Sequence, residues 1–447
     1  MANKKIFKSP SVAQKVPAAN AVNDAGGKAY KREDKQALAQ IACTNTFNGT
    51  YYASADQNLE LAKKAALALK NDPEFLAKVA VYSRNKGYMK DMPAFLVTLL
   101  ADLDTKTFRK IFPIVIDNGK MLRNFCQMAR SGVFGKARNL SSGTIRHAIQ
   151  QWFDVRGPWA LFKASIGNDP TMKDMLRMAR PRPNTPEKNA LFGYFLDKDV
   201  AIEKLPQVVR EYEAFKRDKS LPVPNVDFRM LDSLGLSDDQ WKEIARNAPW
   251  MMTRMNLNTF QRHGVFKDKE LVKIVADRLR DKKLIEEAKQ FPYQLFSAWK
   301  AITSNTSELP FEIHEAVQDA MELSIDNVPE IKGQIYVCVD CSGSMGSPIT
   351  GYRQGSTSTV RCVDVAGLIA SSIVRKNRSA QVYTFSHNAV KVSLNPRDTV
   401  ITNTLKLNKA GGGTNISAPL RDLNAAKAKG DAVIYISDNE SWLDRGG

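Results

Sequence analysis

Apolar residues recur at helical spacing along the chain up to about residue 328. Leu61, Ala65 and Leu69 fall on one face of a helix, and Asp72 followed by Pro73 is typical of the capped start of the next. Similar blocks, separated by short Gly, Pro or Asn breaks, lie at 75–81, 93–103, 108–128, 144–153, 171–179, 205–215, 239–248, 269–287 and 310–323. The pattern predicts an array of helical hairpins. It is either a degenerate solenoid of the HEAT type or an irregular helical bundle, because we find no fixed repeat period.

The pattern changes after a turn at 327–330. An unbroken apolar run at 335–339, rich in β-branched residues, predicts a buried parallel strand. Further strands are expected at 381–385, 389–394 and 431–437, and helices at 362–375 and 416–428. We therefore predict a mainly α-helical protein that ends in an α/β domain. Its three parts are a basic, partly flexible N-terminal arm (1–50), a helical-repeat domain (51–328) and an α/β domain (329–447).

An exposed strand edge is expected near the C-terminus. The sequence stops at Gly447, shortly after the strand that ends at Asp438, whereas an α/β domain of this kind continues through further strand–helix units. Either the chain is a fragment or another element covers that strand. We favour the fragment, so the α/β domain is expected to be incomplete.

Five oxygen-bearing side chains follow the predicted strands. Asp340, Ser342 and Ser344 come at alternate positions after the first strand, Thr414 lies in a glycine-rich loop, and Asp438 ends the last strand. Carboxylates and hydroxyls suit a small hard cation such as Mg²⁺. The set resembles the metal-ion-dependent adhesion site of von Willebrand factor A domains. The alternative is that the two aspartates only cap the helices that follow their strands.

Charge and cysteine content narrow the class of protein. The 447 residues include 65 Lys and Arg against 47 Asp and Glu, a formal net charge of +18. This excess favours a polyanionic partner, with a solvated lysine-rich surface as the alternative. Five scattered cysteines favour a reducing compartment. Because the sequence contains neither an apolar signal segment nor a run of about 18 apolar residues, we expect a cytoplasmic protein without a membrane span.

Separated segments along the chain share a further resemblance. They lie at 58–64, 72–75, 173–181 (KDMLRMARP), 291–295 (FPYQL), 347–353 and 437–442. All of them resemble the Ro 60 kDa autoantigen family, which is named for its TROVE domain, and the last two resemble its bacterial branch. The similarity runs from about residue 51 to the end, so the chain is identified as a bacterial-type member.

The resemblance implies a ring of HEAT-like repeats closed by the von Willebrand factor A domain. It implies a non-enzymatic protein that binds small Y RNAs on its outer basic surface and the single-stranded ends of misfolded RNAs in its central hole. An exoribonuclease is an expected partner in RNA quality control and turnover, reached through the RNA. We expect a monomer with no DNA specificity.

The resemblance also carries over some outer-surface residues. Aligned on the helix that contains Lys173 and Arg177, a family lysine that contacts Y RNA falls at Lys163. A second basic position falls at Gly167 and has lost its charge, and a histidine is replaced by Arg180. The permanently charged arginine fork suits phosphate, so we expect the outer site to be kept with altered detail. Ordinary helix surface is the alternative for Lys163 and Arg177.

Two further sets of candidates are less tied to the resemblance. A basic run nearby comprises Arg130, Lys136, Arg138 and Arg146. For the interior of the ring we nominate Trp250 and Arg254, an aromatic and a cation suited to stacking and backbone contact with a single strand, although Trp250 fits a plain helix core equally well. Within the sequence we find no set typical of a nuclease or NTPase. The alternative function is a metal-dependent adhesion module whose Mg²⁺ captures an acidic residue of a partner protein.

Overall fold

The computed structural model describes residues 18–23, 25–135, 137, 140–141, 143–288, 292–303, 309–328, 330–352, 358–438 and 440–443. The first part contains β1 (Ala21–Val22), β2 (Lys28–Ala29), α1 (Asp34–Thr44), α2 (Ala55–Ala68), α3 (Pro73–Asn85), α4 (Asp91–Leu103), α5 (Thr105–Val115), α6 (Gly119–Ser131), α7 (Gly143–Asp154), α8 (Pro158–Ala164), α9 (Met172–Ala179), α10 (Pro186–Phe195), α11 (Gln207–Arg217), α12 (Phe228–Leu231), α13 (Asp238–Asn247), α14 (Trp250–Met255), α15 (Leu257–Arg262), α16 (Lys269–Arg280), α17 (Lys282–Glu287), α18 (Pro292–Thr303) and α19 (Phe311–Ser324). The C-terminal domain contains β3 (Ile335–Asp340), α20 (Cys362–Lys376), β4 (Gln381–Phe385), β5 (Ala389–Val392), α21 (Val400–Leu407), α22 (Ala418–Ala425) and β6 (Ala432–Ile436).

Side-chain caps explain where several helices begin. The Asp72 carboxylate accepts a hydrogen bond from the Phe75 N–H, and Pro73 occupies the first turn of α3, as predicted. The predicted block 108–128 is in fact two helices, because Asn118 caps α6 through the Met121 N–H. Asp281 likewise divides the block 269–287 by capping α17. An Asx side chain inside an apolar pattern therefore marks a break that periodicity alone misses.

Part of the predicted flexible arm is a packed helix. In α1, Leu38 and Ala42 have no exposed surface and belong to the core of the helical array. Within the segment predicted as a basic, partly flexible arm, residues 34–44 thus form a helix that packs against α2, α3 and α4. Helix α1 therefore belongs to the array.

Both ends of the helical array contact the C-terminal domain. Near its beginning, the Tyr352 N–H donates to the Gly49 carbonyl at 2.9 Å. Near its end, Lys300 of α18 forms an ion pair with Asp364 of α20 at 2.6 Å. Since successive helices pack against one another between these points, the array and the C-terminal domain form a closed circuit of contacts. This agrees with the predicted ring-like array.

The C-terminal domain is built on a sheet of order β5-β4-β3-β6. Strand β3 runs parallel to β4 and β6, and β5 is antiparallel to β4. Val337 and Val339 of β3 pack in the cluster that contains α20, whereas Tyr336 and Cys338 pack in the cluster that contains Leu423 of α22. Helices therefore cover both faces, which explains the continuous apolar run of β3. The predicted strands are all present, but α21 was not predicted.

None of the helices in the described ranges combines the length and the apolar character needed to cross a bilayer.

Candidate functional site

The predicted oxygen ligands meet at one edge of the sheet. Strands β3 and β6 are parallel neighbours, so Asp340 at the end of β3 and Asp438 just after β6 lie at the same edge. The glycine-rich loop lies beside the two aspartates, because the Gly343 N–H donates a hydrogen bond to the Gly412 carbonyl at 2.9 Å. Gly412 has φ +84°, a conformation that favours glycine. The fold thus brings three separate stretches of sequence together.

Hydrogen bonds fix the carboxylate of Asp340 at the centre of this site. One carboxylate oxygen accepts the Ser342 N–H at 2.8 Å, and the other accepts the Ser437 hydroxyl at 2.6 Å. The Ser342 and Ser344 hydroxyl oxygens lie 3.3 Å apart. Asp340, Ser342, Ser344 and Thr414 are at most 3% exposed. The side chains are therefore held in place before any ligand arrives.

Two buried oxygens of the site have no hydrogen-bond partner among the described residues. They are Thr414 Oγ1 and Asp438 Oδ1. A buried polar atom without a partner is costly, and in native proteins it needs a partner such as an ion or a water. The donor set combines two carboxylates with three hydroxyls, and the described residues contain no cluster of three or more His, Cys, Asp or Glu side chains able to hold a metal. The residues present fit a hard oxygen-loving cation such as Mg²⁺.

The capping alternative fits Asp340 poorly. The first long helix after β3 is α20, which begins at Cys362 and takes Arg361 as its N-cap residue. Burial raises the pKa of the Asp340 carboxyl, and the nearby Asp438 raises it further, while hydrogen bonds from Ser437 and Ser342 lower it. The site therefore concentrates negative charge where water is excluded, which is the condition that a bound cation relieves.

Two residues that lie next to the site, Ser437 and Tyr52, were not predicted from the sequence. Ser437 binds Asp340 directly, and its position at the end of a strand was a usable signal. Tyr52 comes from the segment between α1 and α2, and no local pattern pointed to it. Burial raises the pKa of the Tyr52 hydroxyl, a hydrogen bond with Ser344 lowers it, and the nearby Asp438 raises it. The N-terminal part of the chain thus reaches the sheet edge where Asp340, Ser342, Ser344, Thr414 and Asp438 lie, which we call the metal-site edge.

Three predicted RNA-binding cations lie on neighbouring helices of the array. Lys163 of α8 is half exposed and forms a 3.7 Å ion pair with Asp227. Arg130 at the end of α6 lies 3.6 Å from Asp169, and Arg177 is exposed on α9. All three are accessible for contact with a phosphate.

The other basic candidates have different surroundings. Lys173 forms an ion pair with Asp197. Arg180 ends α9 in a left-handed conformation, and its carbonyl accepts a hydrogen bond from Gln150 of α7. Arg146, one turn before Gln150, has a buried Nε without a hydrogen-bond partner in the described part of the chain. Arg180 thus lies at the contact between α7 and α9. Lys136 and Arg138 lie outside the described residues.

The two residues nominated for the ring interior are largely structural. Trp250 is 3% exposed, and its indole N–H donates to the Leu279 carbonyl at 3.2 Å. The stacking interpretation of Trp250 is therefore not supported, and the alternative of a helix core describes it. Arg254 donates to the Gln294 carbonyl at 2.9 Å, and burial lowers the pKa of its guanidinium. The structure does not bring this pair together with the cations on α6, α8 and α9.

Comparison with known proteins identifies relatives over nearly the whole chain. Residues 200–328 match the TROVE domain and residues 334–446 match the Ro60 vWA domain. The RNA-binding protein RO60 of Deinococcus radiodurans is 23% identical over 459 residues, which cover 94% of this chain and 83% of the relative. The crystal structure of the Deinococcus radiodurans RO (RSR) protein has a TM-score of 0.68 at 18% identity, covering 93% of this chain and 88% of that one. The structural likeness shows a shared fold.

Proposed function

The chain belongs to the Ro60 family, whose TROVE and vWA domains it carries in that order, and we propose that it is a non-enzymatic RNA-binding protein. The relative from Deinococcus radiodurans is named as an RNA-binding protein. A net charge of +18 supports the same proposal, because cations that neutralise phosphates supply affinity for RNA of many sequences.

One observation carries the proposal: cations from sequence-distant helices face a common surface. Hydrogen bonds from Thr171 lower the pKa of the Asp174 carboxyl, burial opposes them, and the charges of Arg130 and Arg177 lower it further. Arg130 of α6 and Arg177 of α9 therefore lie near the same carboxylate. Lys163 lies on α8, which packs against α6, and we call the surface formed by Arg130, Lys163 and Arg177 the outer basic face.

We extend the proposal to the kind of RNA. A small structured RNA of the Y type binds the outer basic face, and the single-stranded end of a misfolded RNA enters the centre of the ring. An exoribonuclease reaches the protein through the bound RNA, so that the complex acts in RNA quality control. Family membership and the closed circuit of contacts support this. We also propose a cytoplasmic monomer, and the five free thiols favour a reducing compartment.

Fluorescence anisotropy with two labelled RNAs tests the proposal. One is a stem-loop with a single-stranded 3′ tail, and the other is the same stem-loop with a blunt end. We expect tighter binding of the tailed RNA, a loss of affinity as salt rises, and no shortening of either RNA by the pure protein in Mg²⁺. Affinity that is indifferent to both tail and salt would contradict the proposed mode of RNA binding, and shortening of the RNA would contradict the non-enzymatic role. Cross-linking and sequencing of the copurified RNA would identify the natural partner.

A second candidate function is favoured by the unpartnered oxygens of Thr414 and Asp438. We propose that Asp340, Ser342 and Ser344, together with these two residues, hold Mg²⁺. A bound Mg²⁺ would supply an open coordination position for a carboxylate of a partner protein. Calorimetric titration with MgCl₂ tests the metal site, and saturable binding that disappears in Asp340→Ala is expected. No heat above dilution in the wild-type protein would contradict it.

A further inference from the structure

A deep cleft lies beside the outer basic face, between α6, α8 and α12. Its volume is about 750 Å³. Its walls carry the exposed indole of Trp159 and the five cations Lys120, Arg123, Arg156, Lys163 and Arg229, together with the buried Trp152 and the carboxylates of Asp117 and Asp169. We call it the Trp159 cleft. Of the exposed indole and the five cations, only Lys163 was predicted as a site residue.

A buried guanidinium occupies the place where the sequence comparison noted a lost charge. A Cβ at Gly167 would lie 2.6 Å from Cζ of Arg123, and Gly167 has φ +125°. Arg123 is 7% exposed and donates to the carbonyls of Pro170 at 3.1 Å and Ala164 at 3.2 Å. Glycine at 167 thus leaves room for the Arg123 head group. Arg123 of α6 therefore contributes a cation to the cleft wall at this point.

A second guanidinium in the cleft is also held by backbone carbonyls. Arg156 donates to the Trp152 carbonyl at 2.8 Å and the Asp117 carbonyl at 2.9 Å. Its Cζ lies 3.8 Å from the centre of the Trp152 ring. Burial lowers the pKa of Arg156 to about 10, while the charge of Asp117 raises it, so the group remains charged at neutral pH. Both arginines are therefore rigidly placed cations.

The two carboxylates in the cleft wall, Asp117 and Asp169, form ion pairs with other cations, and Asp169 lies 3.6 Å from Arg130. Arg84 binds both carboxylate oxygens of Asp117 at 2.7–2.9 Å. Asp227 is shared between Lys163 and Arg229. Within the described ranges, neither Arg123 nor Arg156 has an ion-pair partner closer than 4 Å. Two partly buried cations without an anion make a site for an anionic group.

The indole of Trp159 is exposed in the same cleft. It is 47% exposed, although Pro158 fixes the start of α8 and the indole N–H donates to the Asn225 carbonyl at 3.4 Å. Lys163 lies over the ring at 5.1 Å. An exposed, tethered aromatic ring bordered by cations is the arrangement on which a nucleic-acid base stacks.

We propose that the Trp159 cleft holds one unpaired nucleotide of the bound RNA, with its base stacked on Trp159 and its phosphate bound by Arg156 and Arg123. This rests on the proposed RNA-binding function and adds a defined subsite to it. Stacking is tolerant of base identity, and the placed guanidiniums recognise any phosphate. The cleft therefore selects RNA with an unpaired nucleotide over a fully paired stem.

The test uses the tailed stem-loop and a matched probe whose tail is abasic, so that the phosphates remain and the bases are absent. For the wild-type protein we expect the abasic tail to reduce affinity about tenfold, in line with one stacked base. Trp159→Ala should clearly reduce the difference in affinity between the two probes, and Trp159→Tyr should restore most of that difference. Tyr82→Ala removes an aromatic side chain that is 61% exposed on α3, outside the cleft, and serves as the control. It should behave as the wild type.

A charge variant tests the phosphate contact without touching the buried arginines. Lys120→Gln removes an exposed cation from the cleft wall, whereas Lys106→Gln removes an exposed cation from the first turn of α5, outside the cleft. We expect about a threefold loss of affinity for the tailed RNA with Lys120→Gln and little change with Lys106→Gln. Equal effects of the two variants would contradict a phosphate site in the cleft.

The outcomes separate this inference from the function on which it rests. If the wild-type protein fails to bind the tailed stem-loop at all, the proposed function fails. If it binds, but the abasic tail and Trp159→Ala change nothing, only the cleft assignment is overturned. Adenosine monophosphate serves as a third probe. If it quenches Trp159 fluorescence, judged against Trp159→Phe, and the tailed RNA does not, the assignment to RNA is overturned in favour of a free nucleotide.

Discussion

The metal-site edge of the C-terminal domain and the Trp159 cleft of the helical array carry side chains of opposite charge. At the metal-site edge, carboxylates and hydroxyls converge, and Thr414 and Asp438 have buried oxygens without partners. In the cleft, guanidiniums converge, and Arg123 and Arg156 donate to carbonyls instead of carboxylates. The first site thus has buried oxygens without hydrogen-bond partners, and the second has cations without an ion-pair partner among the described residues. The first fits a cation and the second fits a phosphate, so we expect the two regions to bind independently.

The largest expected effect is on the metal-site edge alone. Asp340→Ala removes the carboxylate that organises Ser342 and Ser437, so we expect a complete loss of Mg²⁺ binding. Thermal unfolding with and without MgCl₂ measures this, because a ligand that binds only the folded state raises its stability by about 2.7 kcal/mol at a hundredfold excess over Kd. The RNA affinity should stay within about twofold, because the two sites are separate.

Asp398→Ala is the control for that experiment, since Asp398 pairs with Lys406 in the same domain but outside the site. It should keep the response to Mg²⁺. Loss of RNA binding in Asp340→Ala, with Asp398→Ala unaffected, would show that the two regions do not bind independently.

The next effect concerns the ion pairs of Asp364, one of which connects the helical array to the C-terminal domain. Asp364 of α20 has a fully buried carboxylate that pairs with Lys300 of α18 at 2.6 Å and with Arg361 at 2.9 Å. Asp364→Asn leaves two cations without their partner, and we expect a loss of about 3–5 kcal/mol in the free energy of unfolding. Urea unfolding followed by circular dichroism measures the loss.

The matched control is Asp326→Asn. Asp326 also joins the array to the domain, through Lys282 at 2.6 Å and Lys376 at 3.0 Å, but its side chain is 48% exposed. Solvent screens such a pair, so we expect a loss of about 0–1 kcal/mol. Equal losses in the two variants would show that the buried ion pairs of Asp364 stabilise the fold no more than the exposed ion pairs of Asp326.

A smaller effect is expected from charge reversal on the outer basic face. Lys163→Glu combined with Arg177→Glu should weaken binding of the tailed stem-loop by about 10- to 100-fold, because two phosphate contacts become repulsive. Lys242→Glu combined with Arg246→Glu makes the same change in net charge on α13. If this control weakened binding as much, RNA would be held by net charge and not by the outer basic face.

The smallest effect is the pH dependence of the stabilisation that the Asp364 ion pairs provide. Burial raises the pKa of the Asp364 carboxyl, but hydrogen bonds from Arg361 and Lys300 outweigh it, so the pKa lies below its ordinary value. The stabilisation is therefore present above the unfolded-state pKa of about 3.9 and is lost as the pH falls through the lower folded-state pKa. The stability difference between wild type and Asp364→Asn should stay constant from about pH 8 to 5 and shrink below about pH 4. A difference that already shrinks between pH 7 and 6 would assign the effect to another group.

The metal-site edge could be predicted because its residues follow strands in a short spacing. Asp340 and Asp438 each end an apolar run, and parallel strands deliver their ends to one edge of a sheet. What the sequence could not give was Tyr52, which reaches this edge only because the chain closes on itself. Contacts of that kind depend on the curvature of the whole helical array.

The cleft could not be predicted, because its walls combine residues spread over 117–169 with Arg229, and only the packing of the helices brings them together. The comparison at Gly167 indicated a lost charge, but the structure shows Arg123 of α6 in the space that a side chain there would occupy. The nomination of Trp250 failed for a related reason: a helical face rich in apolar residues does not show which aromatic ring is buried. The sequence contained one usable local signal for the cleft, at Arg156, Pro158 and Trp159. There a helix break brings an aromatic ring next to a cation.

The salt dependence of RNA binding tests the central claim most directly, namely that the outer basic face and its cleft bind RNA through phosphates. The measurement is the affinity for the tailed stem-loop over a series of KCl concentrations, for the wild type, for the Lys163→Glu and Arg177→Glu double variant, and for Asp340→Ala. We expect a log–log slope of about −3 to −5 for the wild type and Asp340→Ala, and a slope shallower by about 1–2 for the double variant. A slope near zero, or one that changes only in Asp340→Ala, would contradict the account.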